Sequence, residues 1–124
     1  MNPKELVKKW IEYFNNADAD GLAGLYASDA INDQVVFSNP LRGREEIRQM
    51  FELEFSRATM VCIEEHIYEC GDTAILQWKD PLGLRGCGFF TVKNGQIVHQ
   101  KGYFDQLSFF RQQGLPVPED YLAG

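Results

Sequence analysis

Apolar positions recur every three or four residues through the first half of the chain and every second residue beyond residue 59, a pattern of helices followed by strands. Asn2-Pro3-Lys4-Glu5 opens the first helix, with Asn2 as N-cap and Pro3 at the first helical position, and the stripe Leu6, Trp10, Tyr13, Phe14 carries it to about Asn15. Asp18 caps a second, shorter helix through Leu22, Leu25 and Tyr26, in which Gly21 and Gly24 lower the intrinsic propensity. Ile31 to Phe37 reads as a strand, and Ser38-Asn39-Pro40-Leu41-Arg42-Gly43 as a turn-rich loop. A third helix, Arg44 to Arg57, buries Ile47, Met50, Phe51 and Phe55 and leaves Glu45, Glu46, Arg48 and Glu52 to solvent.

Strands then take over: Thr59 to Glu69, a Gly71-Asp72 turn, Thr73 to Lys79, a loop from Pro81 to Leu84, and a long hairpin. Asn94-Gly95 suits the two positive-φ centres of a two-residue hairpin turn, so counting outward pairs Val92 with Ile97, Phe89 with Gln100 and Gly86 with Tyr103. On that register Cys87, Phe89, Thr91, Val98, Gln100 and Gly102 share one face. A short helix, Asp105 to Gln113, follows, with Gly114 as its left-handed end and Pro116 beyond. Helices first and an antiparallel meander afterwards make an α+β domain, a curved sheet wrapped around three N-terminal helices. With 124 residues the chain is read as one domain, 1–124, with a core of about 3–116 and a short tail, 117–124.

Composition narrows the function classes. Net charge is −6 and no basic run exceeds Lys8-Lys9, which argues against nucleic acid as a partner. No stretch approaches the roughly 20 apolar residues of a membrane helix and no apolar leader opens the sequence, so a cytoplasmic protein is expected. Three cysteines, Cys62, Cys70 and Cys87, are an odd number without framework spacing and read as free thiols. Cys62-x3-His66-x3-Cys70 tempts a metal assignment, but steps of four residues along a strand span about 13 Å, too far for one tetrahedral ion. Neither metal nor cofactor is expected.

Four segments in order carry a family resemblance: Tyr13-Phe14-Asn15-Asn16-Ala17-Asp18-Ala19-Asp20-Gly21-Leu22, Leu25-Tyr26-Ala27-Ser28-Asp29-Ala30, Leu41-Arg42-Gly43-Arg44-Glu45-Glu46-Ile47, and Tyr103-Phe104-Asp105-Gln106-Leu107 with Gln113-Gly114-Leu115. Together they resemble the nuclear transport factor 2-like superfamily, the cone-shaped α+β fold (cystatin-like α+β barrel) of ketosteroid isomerase, limonene epoxide hydrolase and SnoaL-like polyketide cyclases. The resemblance implies a conical pocket for a small apolar organic ligand between sheet and helices, and a homodimer formed through the sheet.

The family's catalytic sets are incomplete in this chain. Where ketosteroid isomerases place a base, a tyrosine and a protonated aspartate, the corresponding positions are Gln34, Trp10 and Cys87, none of which can replace them. Of the epoxide hydrolase set, Asn39 matches the water-binding asparagine, Phe37 stands for the tyrosine two residues before it, the hairpin carboxylate falls on Gly102, and Trp78 and Asp80 correspond to the arginine and aspartate pair. Asp105 matches the SnoaL-like tail, and its place at the strand-to-helix junction suits an N-cap. His66, His99 and Arg85 read as sheet or rim residues.

Two carboxylates remain as candidate acid–base groups: Asp80, beside Trp78, and Asp33, one position from Gln34 and turned inward only by a bulge. The expected pocket lining is Tyr13, Phe37, Asn39, Trp78, Cys87, Phe89 and Gln100. The expectation is a protein that binds a small, mostly apolar molecule and acts on it by acid–base chemistry as an isomerase or cyclase; the alternative is a non-catalytic ligand-binding or dimerisation module.

Overall fold

The computed structural model describes residues 1–37 and 39–117, so Ser38 and the tail from Pro118 onward lie outside the described residues. Helix α1, Pro3–Asn15, is capped by Asn2, whose side-chain oxygen accepts the Glu5 N–H at 2.8 Å, and it buries Leu6, Val7 and Trp10. Helix α2 is shorter than its sequence suggests, Ala19–Ala23, capped by Asp18 on the Gly21 N–H. The backbone beyond it is drawn into the sheet instead: Leu25 C=O accepts the Ile97 N–H at 2.8 Å, and Tyr26 C=O accepts two N–H groups of Arg44 at 2.9 and 2.7 Å. Tyr26 therefore opens strand β1, Tyr26–Gln34, where a helical turn was expected, and Val35 to Phe37 are turn rather than strand.

The remaining elements are β2 (Leu41–Arg42), inside the predicted loop, α3 (Arg44–Arg57), β3 (Ile63–Cys70), β4 (Thr73–Lys79), β5 (Arg85–Lys93), β6 (Gln96–Phe104) and α4 (Gln106–Gln113). They make an α+β fold with one curved six-stranded sheet in the order β2-β1-β6-β5-β4-β3. Every neighbouring pair is antiparallel except β1 with β6, which run parallel. Helix α1 lies over β3, β4 and β5 while α3 lies over β1 and β2, so the core is held between these helices and the inner face of the sheet.

That core is largely aromatic. The Trp10 ring stacks on Phe14 at 5.0 Å and meets Phe90 edge-on at 5.4 Å, and Phe51 stacks on Phe55 at 5.8 Å. A fully buried ring such as Phe90 contributes about 1.5–3 kcal/mol, and the half-buried Phe14 and Phe55 less. Between α1 and the start of β3, Asn15 clamps the backbone of Cys62 from both sides, accepting its N–H at 2.7 Å and donating to its C=O at 3.0 Å.

The β5–β6 hairpin turns at Asn94-Gly95 as expected, with φ of 52° and 73°. Its register does not continue as simple counting predicts. Val92 pairs with Ile97, but Thr91 pairs with His99, leaving Val98 as a bulged extra residue. From there every pairing slips by one: Phe90 faces Gln100, Gly88 faces Gly102 and Gly86 faces Phe104. The bulge exists because both Val92–Ile97 and Phe90–Gln100 are buried, and only an inserted residue puts all four on the same side.

Candidate functional site

Three rows of side chains cross the inner face. Asn32 of β1, Gln100 of β6, Phe90 of β5 and Ala74 of β4 form the first; Gln34, Gly102, Gly88 and Leu76 the second; Phe104, Gly86 and Trp78 the third. The middle row has two adjacent positions without side chains, a trough in the sheet that the chain's own groups fill: the Gln34 amide lies over Gly102, and the Phe90 ring edge is 3.2 Å from where a Gly88 Cβ would stand. Asn32 and Gln100 stand with Phe90 on one side of the trough, and Trp78 and Phe104 on the other. Trp78 lies over Gly86 and its ring is 6.3 Å from Phe104, which in turn packs on Phe37 at 6.0 Å and Phe109 at 5.6 Å beneath α4.

Asn32 and Gln100 on the polar side are buried, and Gln34 is half-buried. Trp10 Nε1 donates to Tyr26 Oη at 2.9 Å, and Tyr26 Oη donates to Gln100 Oε1. Burial pushes the Tyr26 hydroxyl well above its ordinary range, the Trp10 hydrogen bond opposing only weakly, so Tyr26 stays protonated and serves as a bridge rather than a base. Asn32 is 1% exposed; its Oδ1 accepts Gln34 Nε2 at 2.8 Å, and its Nδ2 has no partner. Gln34 reaches this position by lying across Gly102, where any Cβ would overlap its amide. On β1, β6, β5 and β4 the three rows contain no charged side chain.

Trp78 and Gln100 are thus inner-face residues, and Phe37 packs on Phe104 of the third row. Cys87 and Phe89 are corrected by the bulge: they pair with Tyr103 and Lys101 on the opposite, outer face. There Phe89 and Tyr103 line a hollow of about 240 Å³ with Thr73, Thr91, His99 and Lys101. Cys87 lines a wider one of about 600 Å³ beside Arg85, which pairs with Glu65 at 2.9 Å. Tyr13 packs on Gly21 of α2, under the Lys9 ammonium at 4.9 Å. Asn39 is exposed.

Neither candidate acid stands on the trough. Asp33 pairs with Lys101, with the outer-face parity of that residue, because β1 keeps its alternation from Ile31 to Gln34. Asp80 closes the β4–β5 loop: its Oδ1 accepts the Leu82 and Leu84 N–H groups at 3.0 and 2.9 Å, and its Oδ2 accepts Gln112 Nε2 of α4 at 2.6 Å. Asp105 caps α4 through the Ser108 N–H and hydroxyl, which hold its carboxyl below the usual range. Cys62 is buried, and burial pushes its thiol up to about 12. Among the described residues no three His, Cys, Asp or Glu side chains come together as metal ligands.

Sequence reasoning missed Tyr26 and Asn32 as site residues, and it missed Glu54. Glu54 follows Ile47 by seven residues and Phe51 by three, which puts it on the buried stripe of α3. Burial raises its carboxyl above the ordinary 4.5, with Arg57 pulling the other way. A carboxyl whose folded pKa is raised gives full stability below its unfolded value and loses it as pH rises through the folded one. Glu54→Gln is therefore expected to stabilise the protein at pH 7 by up to about 1 kcal/mol, a gain that fades towards pH 4. Thermal unfolding at both pH values measures it, and an unchanged midpoint at pH 7 would contradict the burial argument.

The SnoaL-like domain model matches residues 7–100. No curated protein matches the chain in sequence. Among solved structures, a Catenulispora acidiphila protein with a ketosteroid isomerase-like fold, in complex with trimethylamine, is similar with a TM-score of 0.80 and 18% identity, over 95% of this chain and 100% of that one. An LEH-like epoxide hydrolase from M. tuberculosis is similar with a TM-score of 0.75 and 23% identity, over 86% and 85%. A polyketide cyclase-like protein from Sinorhizobium meliloti, itself assigned that activity only provisionally, has a TM-score of 0.72 and 19% identity, over 80% and 94%. At these identities the neighbours speak for the fold, and the family match covers most of the chain: this protein belongs to the SnoaL-like domain family, within the nuclear transport factor 2-like fold.

Proposed function

We propose that this protein binds a small, mostly apolar organic molecule in the trough between the helices and the sheet, and does so without acid–base chemistry from Asp33 or Asp80. One observation carries the reading: the polar groups of the inner rows, Asn32, Gln34 and Gln100, are neutral amides, joined to a protonated tyrosine. Amides orient a ligand but take no proton at neutral pH. Apolar walls with a few converging polar groups are the usual make-up of a small-molecule site. A second copy of the chain would use the outer face, where Phe89 and Tyr103 are 36% and 40% exposed.

Titration with toluene, followed by nitrogen–proton NMR, tests the proposal. Saturable shifts are expected at the Trp78 indole and at the Gln34 and Gln100 side-chain amides, equally in the Asp33→Asn and Asp80→Asn variants. Shifts confined to the outer-face residues around Phe89 and Tyr103, or no saturable shift at all, would overturn it.

A further inference from the structure

The trough is occupied by the chain itself, and its occupant has a definite chemistry. Gln34 is the last residue of β1, half-buried, and its carboxamide lies over the bare backbone of Gly102 with its nitrogen on Asn32 Oδ1. A primary carboxamide is thus what the polar end of the trough accommodates at present. It satisfies the seat incompletely. Asn32 keeps a buried Nδ2 with no acceptor, a deficit that ordinarily costs about as much as a lost hydrogen bond, so native structures rarely retain one. Gln100, directly beside Asn32 in the sheet, has its oxygen engaged by Tyr26.

We infer that Gln34 is a displaceable internal stand-in for the ligand's polar group, and that the ligand carries a neutral carboxamide or lactam on a flat apolar body. This rests on the binding function proposed above. A planar group with one carbonyl and one N–H meets both ends of the seat, the carbonyl on Asn32 Nδ2 and the N–H on Asn32 Oδ1 once Gln34 has left it. The apolar body then faces Trp78 and Phe104 along the edge of the Phe90 ring that covers Gly88. A carboxylate is disfavoured because no cation stands on the three rows to replace its lost hydration. An ammonium is disfavoured because it meets only Asn32 Oδ1 and leaves the Nδ2 donor unpaired.

Gln34 can move because it ends its strand. Val35 and Phe37 already belong to a turn, so swinging its side chain outward breaks one side-chain hydrogen bond and no ladder bond.

Benzamide, benzoate and toluene, titrated by NMR against the wild type and Gln34→Ala, decide the matter. Benzamide is expected to bind at the trough at least tenfold more tightly than benzoate. Gln34→Ala, which removes the internal competitor, is expected to tighten benzamide at least fivefold and to widen its advantage over toluene. Asn32→Leu, if it folds, is expected to erase that advantage; Gln34→Ala, at a half-buried strand end, suffices without it. Unchanged benzamide affinity in Gln34→Ala, or benzoate binding as tightly as benzamide, overturns the inference. If toluene binds in the trough while benzamide gains nothing from Gln34→Ala, the carboxamide class falls and the binding function stands. If none of the three probes binds in the trough of either protein, both fall.

Discussion

Tyr26→Phe is expected to lower the stability of the fold by about 2–6 kcal/mol. The lost oxygen accepts from Trp10 Nε1 and donates to Gln100 Oε1, and all three side chains are buried. Phenylalanine fills nearly the same volume, so the loss comes from two orphaned polar groups at about 1–3 kcal/mol each rather than from a cavity. Urea unfolding measures the difference. Adding Gln100→Leu to the variant is expected to recover part of it, since a buried site with both partners apolar carries no unmet hydrogen bond. The same hydroxyl sets an alkaline limit. Folding holds its pKa above the ordinary 10.0, so its stability contribution is complete below pH 10 and is lost as pH rises beyond, by about 1.4 kcal/mol per pH unit. Tyr26→Phe lacks this component. A variant within about 0.5 kcal/mol of the wild type, or one with the same alkaline slope, would refute the bridging role.

Gly86→Ala is the second severe change. A Cβ at this position would lie 2.5 Å from Trp78 Cζ2 and 2.5 Å from the backbone oxygen of Tyr103. The indole can tilt, but the carbonyl is held in the β5–β6 ladder, where Gly86 pairs with Phe104. Overpacking against fixed backbone costs about 1–3 kcal/mol, which for a chain of this size lowers the melting temperature by roughly 4–12 °C. Gly24→Ala is the control, because its Cβ would meet nothing closer than 3.4 Å. Thermal unfolding of the two variants side by side, with Trp78 fluorescence as a local report, checks the argument. Equal midpoints would show that the ladder yields at Gly86.

The helices, the hairpin turn and the end caps were legible in the sequence because each rests on a local cause. Asn2, Asp18 and Asp105 cap helices with their own side chains, and Asn94-Gly95 supplies positive φ at the turn. Tyr26 was not legible, since its helical spacing from Leu22 is overruled by Arg44 and by Ile97, residues far along the chain. The face assignment of Cys87 and Phe89 failed for a similar reason. The bulge at Val98 has no marker of its own and follows from burial on both sides of it. Gln100 and Trp78 were placed on the inner face correctly, Gln100 because the expected register erred on the opposite strand. Asp80 was read as a candidate acid–base group, and its hydrogen bonds make it the opener of the β4–β5 loop.

The parallel contact between β1 and β6 also bears on how the molecule assembles. Its strands cannot be joined by a tight turn, and Tyr26 and Gln100, which meet across it, are 74 positions apart. Hairpins such as β5–β6 close cheaply and early, whereas a pairing of such long range pays its loop-closure entropy before it gains contacts. Asn32 and Gln34 come from one side of this seam, Gln100 and Gly102 from the other. The amide seat is therefore a product of the late stage of folding, absent from any intermediate that contains only the meander, and a ligand that binds it would act by holding that final seam shut.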